Sequence, residues 1–173
     1  MNKCYWITGL SATGKTTLSS LLVSHLRGMG KTVIHLDGDE LRQVLADKAY
    51  TRDERIALSM RYGRLSKLLS DQGIDVVISV IGMFNEIYLW NRENISNYIE
   101  IYIDTPMSEL KKRDPKKIYE GFDLGRIKNV AGIDLKIDTP LNPDVHLKWS
   151  EDSSIDSMFD ELINSIKNKI DAV

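Results

Sequence analysis

The sequence predicts an α/β fold in which a five-stranded parallel sheet carries helices on both faces and a lid segment covers one end. Three observations predict it. Apolar runs of strand length alternate with helical stretches along the 173 residues. The first run leads into a glycine-bounded loop and then into helical spacing. One long stretch in the last third shows no periodicity at all.

The first strand is Cys4-Tyr5-Trp6-Ile7-Thr8, an apolar run rich in aromatic and β-branched residues. After Lys15, the residues Leu18, Leu21, Leu22, Leu26 and Met29 recur at helical spacing. Further strands are expected at 32–36, 74–80, 99–103 and 145–148, each separated from the last by enough chain for a crossover helix. Ser153 or Ser154 caps a final helix whose Ile155, Met158, Phe159, Leu162, Ile163, Ile166 and Ile170 form one apolar stripe. Residues 114–143, rich in Gly, Asp and Lys, are expected to form a lid or binding loop. No repeat, linker or low-complexity segment divides the chain, so residues 1–173 are expected to form a single domain.

Composition narrows the partners. A hydrophobic content of 42% with 28% charged residues is ordinary globular balance. The net charge of -2 gives no general attraction to a nucleic acid polymer or an acidic membrane, and favours a small anionic ligand held by local groups. Cys4 is the single cysteine, which excludes an internal disulfide and suits a reducing compartment. The chain opens without a signal-peptide pattern, and no apolar run approaches the roughly 20 residues of a membrane helix. A cytoplasmic location is expected.

The chemistry starts at Gly9-Leu10-Ser11-Ala12-Thr13-Gly14-Lys15-Thr16-Thr17, whose first eight residues fit G-x-x-x-x-G-K-[ST]. Such a loop turns successive backbone N–H groups toward the phosphates of ATP, while Lys15 reaches the terminal pair and the Thr16 hydroxyl ligates Mg2+. The following helix adds its positive N-terminal end. In parallel sheets ligands lie beyond the carboxyl ends of the strands, where Asp37-Gly38-Asp39 follows the second strand. Alone this tripeptide is a common turn. Opposite a triphosphate, Asp39 can accept the proton of an attacking hydroxyl and Asp37 can serve near the metal. Arg42, three residues on, shares a helix face with Asp39 and suits a phosphate or sulfate oxygen pair.

Other charged groups are less specific. Of Arg52, Arg55, Arg61 and Arg64, one or two are expected in the site. Lys111, Lys112, Arg113, Lys116, Lys117, Arg126 and Lys128 read either as a solvated face or as a cationic lid. His25, His35 and His146 stand apart, without zinc spacing. Asn168-Lys169-Ile170-Asp171 spells a guanine-reading motif, but it falls on the final helix rather than after a strand.

Several blocks together resemble the adenylylsulfate kinase family. They are the phosphate loop, Leu36-Asp37-Gly38-Asp39 with Arg42, Ile103-Asp104-Thr105-Pro106, Arg113-Asp114-Pro115-Lys116, Ile118-Tyr119, and Ile127-Lys128-Asn129 leading to Gly132-Ile133-Asp134. The resemblance runs from residue 7 to about 147. It implies a P-loop kinase fold and transfer of the ATP γ-phosphate to the 3′-hydroxyl of a nucleotide with a small acidic 5′ group. By resemblance, Asp39, Arg42, Arg55 and Lys128 contact the acceptor, and Arg113 lies near the ATP base.

The chain also departs from the family's pattern. Of two aromatic residues that sandwich the acceptor base, the first is Tyr50 but the second is Val130. The asparagine three residues after Arg55 is Leu58, and Ile-Ser-Pro-Tyr-Arg becomes Ile81-Gly82-Met83-Phe84-Asn85. A lid arginine becomes Asp123. A lost stacking plate forfeits on the order of 1–3 kcal/mol. These changes fall on the acceptor side and spare the ATP side, as expected if the acceptor base differs. The resemblance favours cytidine 5′-diphosphoramidate, used in capsule phosphoramidate synthesis, with adenylylsulfate as the alternative. A non-catalytic ATP-binding sensor is the reading from another class. A small nucleotide partner is expected, and a homodimer is compatible with the sequence.

Overall fold

The computed structural model describes residues 2–171, the side chains of Ile170 and Asp171 excepted. Five strands pair in parallel: β1 (Cys4–Thr8), β2 (Val33–Asp37), β3 (Asp75–Val80), β4 (Tyr98–Asp104) and β5 (Val145–Lys148). Their order across the sheet is β2-β3-β1-β4-β5, so β1 lies at the centre. The helices are α1 (Lys15–Gly28), α2 (Gly38–Val44), α3 (Arg52–Asp71), α4 (Asn85–Asn94), α5 (Met107–Arg113), α6 (Ile118–Asp123) and α7 (Ile155–Asp171). Among the described residues no helix is long and apolar enough to cross a membrane.

Because successive strand residues point to opposite faces, β1 builds two cores at once. Tyr5 and Ile7 pack with Leu18, Leu22 and Leu26 of α1 and Met158, Leu162 and Ile166 of α7. Cys4 and Trp6 face the other way, against Leu58 and Tyr62 of α3 and Ile87 of α4. Both faces are covered, which is why strand alternation between polar and apolar residues is lost in the sequence. Burial raises the Cys4 thiol to about 12, which leaves it an inert core residue.

β1 and β5 have the expected bounds, and the ends of β2, β3 and β4 differ from expectation by at most one residue. β2 begins at Val33 and takes in Asp37, which pairs with Ser79 of β3. Met29 does not join the α1 stripe; it is the C-terminal cap and is exposed, while Val23 fills the core. Of the two serines proposed to cap α7, Ser154 does so, its Oγ accepting from the Ser157 amide at 3.1 Å. Ile170 has a side chain outside the described residues.

Residues 114–143, which show no periodicity in the sequence, contain some regular structure. They hold α6 and an isolated bridge between Ala131 and Leu135. Asp114 makes α6 possible, its carboxylate accepting from the Ile118 and Glu120 amides at 2.9 Å each. Leu110, Tyr119 and Val130 form a third buried cluster there, packed against Leu10 and Ala12 of the glycine loop. The segment therefore sits on the phosphate loop in this structure.

Candidate active site

The glycine loop joins β1 to α1 at the carboxyl edge of the sheet. Gly9 cannot carry a side chain, since a Cβ would lie 2.7 Å from the Ile103 carbonyl oxygen. Gly14, the N-cap of α1, has φ of 92°, in the left-handed region that glycine tolerates. These two positions set the curl of the loop. Thr13 closes it from inside, its hydroxyl donating to the Leu10 carbonyl at 3.0 Å.

Lys15 turns back into this curl, with Nζ donating to the Leu10 carbonyl at 2.5 Å. Burial, and then the like charge of Lys116, lower its amine to about 7, while Asp39 and Asp37 pull the other way. Thr16 donates to Asp37 Oδ2 at 2.8 Å, and Ser79 donates to the same oxygen at 2.9 Å. Asp37 Oδ1 accepts from the Asp39 amide at 2.9 Å and so caps α2. Burial opposes ionisation of Asp37, but the Asp39 amide, the two hydroxyls and the Glu40 amide hold its carboxyl below the usual range.

The first turn of α2 presents Asp39 at the cleft mouth, where it ion-pairs with Lys116 of the α5–α6 turn. Arg42 lies one turn further and donates to the Ala49 carbonyl at 3.3 Å. From α3, Arg55 donates to the Asn129 carbonyl at 2.9 Å, and its Nε is buried without a partner. Burial and the charge of Arg42 push the Arg55 guanidinium below its usual value, with Asp134 opposing. Two arginines so placed leave positive potential for an anion.

One cleft of about 670 Å3 gathers most of the expected residues. Ser11, Ala12, Gly14, Lys15, Thr16 and Thr17 line it from the loop, and Asp37, Asp39, Arg42, Arg55, Leu58, Ile81 and Arg113 from elsewhere. A smaller pocket of about 160 Å3 takes in Tyr50, Lys128 and Val130, and shares Ser11, Arg55, Ile81 and Ile118 with the cleft. Gly9, Leu10 and Thr13 shape the loop without lining either. Tyr50 is exposed and free to stack, whereas Val130 is buried against Leu110 and Tyr119. Arg113 donates to the Ala12 carbonyl at 3.4 Å, and its guanidinium stacks 5.6 Å from the Trp149 ring.

Of the four arginines Arg52, Arg55, Arg61 and Arg64, Arg55 alone lines the cleft. Arg52 instead pairs with Asp138 at 2.7 Å and stacks on Phe84, and Arg61 pairs with Asp47 on the surface. Asp123, at the position of a family arginine, pairs with Lys111. Residues not foreseen are Ser59, Tyr62 and Ser79, all at the cleft wall, which Lys116 of the cationic cluster also lines. Tyr119, whose hydroxyl donates to the Ser11 carbonyl at 3.1 Å, fastens α6 to the loop. The signal for Ser59 and Tyr62 was present, since both continue the helical face of Arg55. Lys116 belongs to the Arg113-Asp114-Pro115-Lys116 block, but its pairing with Asp39 spans 77 residues and leaves no local trace.

The family described as adenylylsulphate kinase matches residues 1–148. The chain is 44% identical over 135 residues to a cytidine diphosphoramidate kinase of Campylobacter jejuni subsp. jejuni serotype O:2, covering 78% of this chain and 79% of that one. It is 36% identical over 154 residues to an adenylyl-sulfate kinase of Pseudomonas aeruginosa, covering 87% and 79%. Among solved structures, the Mycobacterium tuberculosis APS kinase in complex with AMPPNP and APS superposes with a TM-score of 0.87 at 32% identity, covering 96% of this chain and 98% of that one. Phosphate loop, sheet order and these likenesses agree, and the chain belongs to the adenylylsulphate kinase family of ATP-using phosphotransferases.

Proposed function

We propose that this protein transfers the γ-phosphate of ATP to the 3′-hydroxyl of a nucleotide carrying a small acidic 5′ group, with cytidine 5′-diphosphoramidate as the favoured acceptor. The observation that carries the reaction is the shared cleft: Asp39, Arg42 and Arg55 line the same space as Lys15 and Thr16. A protein that only sensed ATP would have no use for that acceptor wall.

The backbone of residues 10–16 and Lys15 hold the donor phosphates. Thr16 and Asp37, joined at 2.8 Å, offer hard oxygen donors that fit Mg2+, which when bound neutralises phosphate charge. Arg42 and Arg55 hold the acidic 5′ group, and Tyr50, Lys128 and Val130 border the space for the base. Asp39 takes the proton of the acceptor 3′-hydroxyl as that oxygen bonds to the γ-phosphorus. The bond from that phosphorus to the β–γ bridging oxygen breaks, ADP leaves, and the proton on Asp39 passes to solvent. Lys15 meets the charge that develops on the transferring group. Residues 114–143 act as a lid that excludes water during transfer.

The cytidine acceptor is supported by the 44% identity to the Campylobacter kinase and by the altered positions Leu58, Gly82, Asn85 and Val130. Adenylylsulfate is the second reading, supported by the Pseudomonas relative and the Mycobacterium structure with APS. A coupled ADP-release assay with both acceptors side by side separates them. Turnover of cytidine 5′-diphosphoramidate at least tenfold above adenylylsulfate in kcat/KM is expected. The reverse preference would make adenylylsulfate the acceptor, and no turnover with either would leave a nucleotide sensor.

A further inference from the structure

Arg55, Leu58, Ser59 and Tyr62 follow the i, i+3, i+4, i+7 spacing of one helix face, and all four line the main cleft. Tyr62 is only 4% exposed, and its Oη is buried with no hydrogen-bond partner. A buried hydroxyl without a partner destabilises the fold that contains it. On the wall of a binding cleft, such a group points to a partner that arrives with the ligand. The charged groups around it are Arg42, Asp47, Asp39 and Arg61. Arg61 and Asp47 satisfy each other at 3.1 Å, whereas Arg42 and Asp39 face the cleft.

Position along the acceptor follows from the two cavities. Arg55 and Ile81 border both, Tyr50, Lys128 and Val130 border only the smaller, and Tyr62 borders only the larger. Tyr62 therefore stands on the Arg42 side of Arg55, away from the space for the base. Where Arg42 and Arg55 hold the acidic 5′ group, as proposed above, the group nearest Tyr62 is the acceptor's 5′ terminus. Arginines can only donate hydrogen bonds, while a phenol can donate or accept. A sulfate terminus presents oxygen acceptors alone, but a phosphoramidate adds N–H donors that no guanidinium can pair.

Resting on the acceptor reading above, we propose that Tyr62 is a specificity-determining residue for the acceptor's terminal 5′ group, its hydroxyl accepting from an amino substituent on the terminal phosphorus. Tyr62→Phe removes that oxygen and little else. The test compares cytidine 5′-diphosphoramidate with CDP, which carries oxygen in place of the amino group, in steady-state ADP release. In the variant, the preference for the diphosphoramidate in kcat/KM should fall about tenfold through its KM. The KM for ATP should stay within twofold, and the melting temperature should be unchanged or higher, since no internal hydrogen bond is lost. A preference held within twofold overturns the inference alone, as does an equal rise in KM for both acceptors. A lowered melting temperature also overturns it, by revealing an internal partner for the hydroxyl. A wild-type protein that does not phosphorylate cytidine 5′-diphosphoramidate overturns the acceptor reading and this inference together.

Discussion

Nucleotide binding should draw a proton onto Lys15, and the amount follows from its surroundings. Buried beside Lys116, the amine sits at about 7 in the protein by itself. At pH 8, one unit above that value, only about a tenth of the molecules carry the charge. A bound polyphosphate restores the ordinary preference for the ammonium form, so ATP binding should take up roughly 0.9 proton at pH 8, about 0.5 at pH 7 and about 0.1 at pH 6. The sign is fixed by linkage: the bound state holds more protons, so affinity weakens as pH rises, by about tenfold per unit above 7. Titration calorimetry in buffers of different ionisation enthalpy reads the proton number as a slope. Lys116→Met, which removes the like charge, should raise the Lys15 amine and shrink the uptake at pH 8. Uptake below about 0.2 proton at pH 8 in the wild type would refute the reasoning. The same amine affects folding with a defined sign. Its value is lowered from the ordinary 10.5, so between 7 and 10.5 the unfolded chain binds more protons and the Lys15 contribution to stability improves with pH.

Asp39→Asn should lower kcat by about 10²- to 10⁴-fold with the KM for ATP nearly unchanged, as loss of a general base predicts. The Asp39 side chain is 59% exposed, so the loss of its pair with Lys116 should change stability by less than about 1 kcal/mol in urea unfolding; kcat within threefold of wild type would remove Asp39 from the mechanism. Asp138→Ala strips a partner from Arg52 at 2.7 Å and from the Asn85 amide at 3.2 Å. Urea unfolding should register a loss of about 1–3 kcal/mol, and an unchanged midpoint would mean the link between this segment and α3 contributes nothing.

Parts of the fold that rest on local pattern were legible in the sequence. β1, the glycine loop and α1 are contiguous, and their strand-to-helix change of period falls within about 25 residues. α6 was not legible, because a six-residue helix is too short to repeat an apolar period and is capped by Asp114 from outside itself. At the site the same contrast holds. Arg52 and Arg55 are equally cationic and three residues apart, yet one faces Asp138 and the other the cleft. Which of them enters depends on how α3 is rotated against β3, and that is decided by Leu58 and Tyr62 packing under the sheet. Composition carries no record of that rotation.

This contrast has a functional consequence. The phosphate loop is written in consecutive residues, so a change at Gly9, Thr13 or Gly14 disturbs the loop and the β1–α1 junction together. On the function proposed above, the acceptor side is assembled from side chains of α2, the α3 face, the turn after β3 and the segment over the loop, which line the two cavities together. Substitution at Leu58, Ser59, Tyr62 or Val130 should therefore alter the lining of the proposed acceptor pocket while leaving Lys15, Thr16, Asp37 and Asp39 in place. If the proposed transfer is correct, a scaffold built this way is expected to change its acceptor by separate steps on α3 and the segment over the loop, each leaving the phosphate loop intact.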